Sequence, residues 1–171
     1  MKRRSAGQLH PPLRGPFNPQ RRQAVLALVS GLLLPGAAAV AAAGLPASRS
    51  LADELRMALA AGKPLVVMAS LDGCPYCQSV RQSHLLPLRA SDGLAVVQIN
   101  LSSRQPTRNF DGSAVTHDER LRAWSIRLAP TLLFIGRDGV EVAERLQGYS
   151  ADFYSAYLAE RLALAQKRIR G

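Results

Sequence analysis

The chain contains two cysteines and no more, Cys74 and Cys77, separated by Pro75 and Tyr76. A Cys-x-x-Cys spacing brings two thiols close enough for one short-loop disulfide, and its flanks limit what the chain can fold into. Pro64-Leu-Val-Val-Met-Ala69 precedes it as a short apolar run, the pattern of a buried strand. From Cys77 to Leu86 there is no Gly or Pro, and this stretch reads as a helix that reaches Pro87. Cys74 then stands at a helix start, where unpaired backbone N–H groups and the positive end of the dipole favour an anion. A thiolate is such an anion and is the reactive form in disulfide exchange. The position therefore favours Cys74 as the nucleophile.

Other uses of the motif are weaker. Half a zinc site needs two more ligands, and beyond residue 43 the chain offers only His84 and His117, unpatterned Asp and Glu, and no second cysteine pair. Haem attachment requires a histidine directly after the second cysteine, where Gln78 stands. No metal and no cofactor are expected. His84, seven residues past Cys77, shares its helical face two turns away, too far to act as a base, and reads as a surface or core-edge residue. Trp124, in helical spacing with Leu121 and Leu128, reads as core. Tyr76 reads as exposed, part of a platform for a substrate.

Charge is unevenly distributed along the 171 residues, whose net charge is +10. Lys2, Arg3, Arg4, Arg14, Arg21 and Arg22 lie in a stretch with no acidic residue, and all 12 acidic residues follow residue 50. From Gly44 onward sixteen basic residues face twelve acidic ones, an ordinary surface with no basic-aromatic stripe, so no nucleic-acid partner is expected. Residues 1–43 read as an export signal: a basic, proline-broken leader, an apolar segment from Ala24 to Val40, and the small-residue pattern Ala41-Ala42-Ala43, with cleavage after Ala43. The Arg21-Arg22 pair suggests a twin-arginine route, although Gln20 and Ala24 stand where that pattern has Ser or Thr and an aromatic. General secretion and an uncleaved anchor are the alternatives; Gly31, Pro35 and Gly36 argue for cleavage, and any membrane contact would run through this segment alone. Residues 44–50 read as a linker and 51–171 as one domain.

Within that domain, Leu51 to Ala61 has helical apolar spacing and closes at Gly62. The strand at 65–69 and the cysteine helix follow, then a second strand, Leu94 to Leu101, entered through Ser91-Asp92-Gly93. Residues 102–117 are polar and read as loop with a small hairpin at Asp111-Gly112. Thr116 and Glu119 form a capping-box pattern opening a helix from His117 to about Ile126. Ala129-Pro130-Thr131 leads into a third strand, Leu132 to Ile135, which turns at Arg137-Asp138-Gly139 into an antiparallel fourth, Val140 to Leu146. Gly148 and Ser150 open a last helix with apolar residues at 153, 154, 157, 158, 162 and 164 and a basic tail, Lys167 to Arg170, suited to a helix C-terminus. A β-α-β unit followed by β-β-α predicts a three-layer α/β architecture, a mixed central sheet with helices on both faces.

From about Leu51 to Gln166 the chain resembles the thioredoxin superfamily. Three anchors carry the likeness: a strand, then Cys74-Pro75-Tyr76-Cys77, then a helix; Ala129-Pro130-Thr131 before a strand; and Asp138-Gly139 in the closing hairpin. Leu146-Gln147-Gly148-Tyr149 and the Asp111-Gly112 segment are most like exported bacterial thioredoxin-like proteins of the sulfur-oxidation type. The Cys-Pro-Tyr-Cys interior is shared with dithiol glutaredoxins, but Val140 follows Asp138-Gly139 where their Gly-Gly signal would stand. The resemblance implies a periplasmic thiol–disulfide oxidoreductase that reduces or exchanges protein disulfides, kept reduced by a membrane electron donor. It implies Cys74 as attacking thiol, Cys77 as resolving thiol, Pro130 in cis, and Pro75, Tyr76, Ala129 and Pro130 as the surface that meets substrate. Two positions depart from the pattern: Gly73 replaces a tryptophan before the first cysteine, and Met68 replaces a buried aspartate six residues before it. The alternative is a binding or assembly protein of the same fold whose disulfide is structural.

Overall fold

In a computed structural model that describes residues 44–171, strand β1 (Leu65–Ser70) is buried at all six positions. The expected leader, its cleavage point and its possible anchoring role lie outside the described residues. A strand buried on both sides must sit inside a sheet with helices on each face. The sheet order is β2-β1-β5-β6, where β2 is Val96–Asn100, β5 Thr131–Ile135 and β6 Glu141–Gln147. β2 runs parallel to β1, whereas β5 is antiparallel to β1 and β6 antiparallel to β5.

The pleat sorts the core into two layers. Val66 and Met68 of β1 join Leu132 and Phe134 of β5 on one face, against Cys77, Val80, Leu85, Tyr154, Leu158 and Ala165. Leu65, Val67 and Ala69 join Leu133 and Ile135 on the other, against Leu51, Leu55, Ala58 and Leu121. Helices α2 (Pro75–Val80), α3 (Leu86–Asp92) and α5 (Tyr154–Arg170) thus cover one face, and α1 (Leu51–Ala60) and α4 (His117–Ala123) the other. This is the three-layer arrangement with a mixed central sheet that the element order implied.

Local signals account for several boundaries. Ser50 caps α1, its hydroxyl accepting from the Asp53 N–H at 3.2 Å. The Thr116/Glu119 capping box is present at α4, with the Thr116 N–H donating to Glu119 Oε2 at 2.9 Å. A hairpin of β3 (Pro106–Arg108) and β4 (Ala114–Thr116) forms about the Asp111-Gly112 turn. At the Asp138-Gly139 turn a side chain would not fit: Gly139 has φ +71°, and a Cβ there would lie 2.5 Å from the Phe110 ring.

Elsewhere the structure departs from the sequence expectation. The cysteine helix does not stop at Pro87 but continues to Asp92, through a π-helical turn, Arg81–Leu85, that ends two residues before the proline. A widened turn is a known way for a helix to absorb the missing N–H and the ring of an internal proline. Helix α4 ends at Ala123, and Ser125 takes a left-handed φ of 57°. Helix α5 begins only at Tyr154, which leaves Phe153 ahead of it and 59% exposed; Tyr157, inside the helix, stands beside the buried row of Tyr154, Leu158, Ala165 and Ile169 and is 47% exposed.

Residues 44–50 lie along the outer edge of β2. Ser48 N–H donates to Gln98 O and Gln98 N–H to Pro46 O, both at 2.8 Å, while Leu45 is 3% exposed. Buried His117 fastens this segment from behind: its Nε2–H donates to Ser48 O at 2.9 Å, and its Nδ1 accepts from the Asn100 N–H at 3.4 Å. Burying one leucine side chain stabilises by about 1.5–3 kcal/mol, and a helix cap such as Ser50 by about 1 kcal/mol. A chain beginning at Leu51 loses both, together with the edge hydrogen bonds. Its urea midpoint, followed by Trp124 fluorescence, is expected to fall by the equivalent of about 2–4 kcal/mol relative to a chain beginning at Gly44. Equal midpoints would show that residues 44–50 contribute nothing to the fold.

Candidate active site

β1 ends at Ser70, and the next three residues turn the chain into α2. Gly73 carries a φ of +70° in that turn, and the Cys74 N–H reaches Leu71 O at 3.4 Å. The loop is fastened at its side: Asn100 Nδ2 donates to Asp72 Oδ1 at 2.7 Å, joining the turn to the end of β2. Cys74 is the N-cap of α2 and Pro75 its first residue, where a proline's missing N–H costs no hydrogen bond. The Cys77 N–H donates to Cys74 Sγ at 3.1 Å, so the sulfur occupies the place a capping oxygen normally takes.

Cys74 and Cys77 are joined as a disulfide, with their Cα atoms 5.2 Å apart. Their environments differ. Cys74 is half-buried, whereas Cys77 is completely buried in the cluster that also holds Met68, Val80 and Leu132. Apolar surroundings disfavour a thiolate, and an N–H donor at a helix start favours one. The N-cap and first turn of α2 therefore hold one half-exposed sulfur beside a backbone donor and one sulfur sealed in the apolar layer.

The register of β1 against β5 brings the second expected element to the same end of the sheet. Ala69 stands opposite Thr131, directly after Pro130. The Ala129–Pro130 peptide bond is cis, as the resemblance implied. Pro130 is buried, its carbonyl accepting from the Gly148 N–H at 2.8 Å, and the Thr131 hydroxyl donates to Leu128 O at 2.7 Å. Ala129 and Cys74 both pack, partly exposed, against the cluster that holds Cys77. Pro75 is exposed, and Tyr76 is 60% exposed. All six residues singled out from the sequence thus belong to the N-cap and first turn of α2 or to the loop entering β5, at one end of the sheet.

Several neighbours were not visible in the sequence. Tyr149 lies 6.1 Å from Tyr76 between ring centroids and 5.2 Å from Tyr154, and the His84 ring lies 4.9 Å from Tyr154. These four rings form a seam between the cysteine helix and the start of α5. His84 is half-buried there, within 3.3 Å of the Ser155 hydroxyl through Nδ1, and burial lowers its pKa, keeping it neutral at pH 7. It is a core-edge residue, as its spacing suggested. Burial raises the Tyr154 phenol pKa far above its usual range, so this ring stays un-ionised. The one sequence signal for the seam was the aromatic frequency after Gly148, with Tyr149, Phe153, Tyr154 and Tyr157 within nine residues.

Residues 51–160 match the family described as a thioredoxin-like domain. No curated protein matches the chain. Among solved structures, it is similar to the periplasmic thioredoxin SoxS from Paracoccus pantotrophus in its reduced form, at 20% identity over 60% of this chain and 99% of that one, with a TM-score of 0.41. A poplar thioredoxin h is 18% identical over 66% of this chain and 94% of its own, with a TM-score of 0.47. Reduced Schistosoma mansoni thioredoxin is 17% identical over 71% and 97%, also at 0.47. Among the described residues no helix is long and apolar enough to cross a membrane. With the family pattern matched across most of its length, and a strand, a Cys-x-x-Cys turn, a helix and a cis-proline loop in order, the chain belongs to the thioredoxin-like domain family.

Proposed function

We propose that the protein is an exported, periplasmic thiol–disulfide oxidoreductase that reduces or exchanges disulfides in other proteins. One observation carries this reading: a half-buried Cys74 whose sulfur accepts an N–H bond at a helix start, paired with a wholly buried Cys77. In the reducing direction, Cys74 thiolate attacks one sulfur of a substrate disulfide. The substrate S–S bond breaks, a mixed disulfide forms, and the departing sulfur takes a proton from water. Cys77 then loses its proton and attacks Cys74 Sγ, the internal disulfide closes, and the second substrate thiol leaves. The substrate gains two electrons and the cysteine pair loses two, so turnover needs an external dithiol, which we assign to a membrane electron donor. Run backwards, the oxidised pair donates its disulfide.

Pro75, Tyr76, Ala129 and Pro130 form the proposed site for the substrate backbone. Export rests on the sequence of residues 1–43, with cleavage after Ala43. With Met68 in the core beside Cys77, no buried carboxylate at that position takes the Cys77 proton, and this role falls to water or to the departing substrate thiol.

In an insulin-disulfide reduction assay driven by dithiothreitol, Cys74→Ser is expected to fold normally and lose all activity over the uncatalysed rate. Cys77→Ser should instead accumulate a mixed disulfide, visible as a mass increase that dithiothreitol reverses. In the reduced wild type, iodoacetamide should label Cys74 at least about tenfold faster than Cys77, following exposure and thiolate character. Exchange activity preserved in Cys74→Ser would contradict the mechanism. Loss of folding on reduction would favour a structural disulfide.

A further inference from the structure

Beside Cys74, on the side reached by α2, lies a cleft of about 270 Å³ whose wall includes Asp72, Gln78, Arg81 and Gln82. It contrasts with the aromatic surface formed by exposed Tyr76 and partly exposed Tyr149. Its two charges are not equivalent. The Asp72 carboxylate already accepts a hydrogen bond from Asn100 at 2.7 Å. Arg81 takes part in none of the ion pairs formed among the described residues, and its Nε is buried without a hydrogen-bond partner. The π-helical turn begins at Arg81, so the guanidinium is carried by the same helix that carries Cys74, one turn beyond Gln78. A guanidinium outside every one of these ion pairs, in the wall of a cleft that also opens on Cys74, offers its Nη donors to a carboxylate.

We propose that this cleft is a specificity subsite, and that Arg81 selects protein disulfides carrying an Asp or Glu side chain close to the cysteine that Cys74 attacks. This rests on the oxidoreductase reading and adds to it the chemical character of the partner. The substrate segment thereby makes two contacts: its backbone meets the surface that includes Tyr76 and Ala129, and a carboxylate enters the cleft. The excess of sixteen basic over twelve acidic residues from Gly44 onward favours approach of an acidic partner in the same sense.

The test uses the full-length protein and three mixed-disulfide peptides that differ only in having Glu, Gln or Lys beside the cysteine. The readout is kcat/KM for each peptide with wild type, Arg81→Gln, Arg81→Glu and Arg81→Lys. Ratios between peptides cancel any general effect of a variant on the cysteines. Wild type is expected to prefer Glu to Gln by about fivefold, the range of a partly exposed ion pair, with Lys poorest. Arg81→Gln should bring the Glu:Gln ratio to about one, Arg81→Glu should invert the Glu:Lys order, and Arg81→Lys should keep part of the preference. Raising the ionic strength to about 0.5 M should shrink the wild-type ratio. Near-UV circular dichroism checks each fold; should Arg81→Glu not fold, the Arg81→Gln ratio decides. Turnover of all three peptides at ratios that Arg81 variants leave unchanged overturns the subsite and leaves the oxidoreductase reading standing. No turnover of any peptide by wild type overturns both.

Discussion

Antiparallel pairing of β1 with β5, with Ala69 opposite Thr131, is the contact on which the candidate site depends. β1 ends where the cysteine turn begins, and β5 starts where the cis-proline loop ends. Fixing the register of the two strands therefore fixes the distance between two segments more than fifty residues apart in sequence. The register is held because both strands are central in the sheet and every residue of each is buried. A slip by one position would turn Val66, Met68, Leu132 and Phe134 toward the wrong layer, exchanging the two halves of the core. The buried strands thus set the cysteine turn and the cis-proline loop at the same end of the sheet.

Within that frame, the two sulfurs are separated in character by where the turn enters the helix. Cys74, as N-cap, faces outward and has a backbone donor; Cys77, three residues on, faces the apolar layer. Met68 occupies that layer and is wholly buried. The result is an asymmetric pair, one sulfur half-exposed beside a backbone donor and the other sealed in the apolar layer. The aromatic seam of Tyr76, Tyr149, Tyr154 and His84 adds a second constraint, because it joins the residue between the cysteines to the loop and helix that follow β6. Neutral His84 and un-ionised Tyr154 make this seam a packing element at physiological pH.

Much of this was legible in the sequence where the signal was local. The apolar run at 65–69, the Thr116/Glu119 capping box, the Asp138-Gly139 turn and the Cys-x-x-Cys entry to a helix each depend on residues within a few positions of one another, and each appears as read. What stayed hidden depends on tertiary context. Pro87 looks like a helix stop, and only the π-helical turn before it lets the helix continue. Leu45 and Ser48 look like linker, because nothing local shows that β2 has an unfilled edge and that His117 offers a donor there. Phe153 and Tyr157 fit an apolar helical spacing, yet Phe153 precedes α5 and Tyr157 stands beside its buried row, so both point outward. The cysteine site was legible as a motif, but the Asn100–Asp72 tie, Tyr149 and the Arg81 cleft come from residues that neighbour the motif only once the chain has folded.

The most direct measurement is the redox midpoint of the Cys74–Cys77 pair, by equilibration with glutathione or dithiothreitol and an alkylation gel shift, with near-UV circular dichroism recorded on the same samples. A pair that exchanges reversibly while the fold stays intact is the predicted result, and a midpoint near or below about −220 mV would assign the reducing direction. A midpoint near about −120 mV would keep the exchange chemistry and reverse its physiological direction. A pair that cannot be reduced until the domain unfolds would contradict the exchange chemistry and leave the disulfide a structural link.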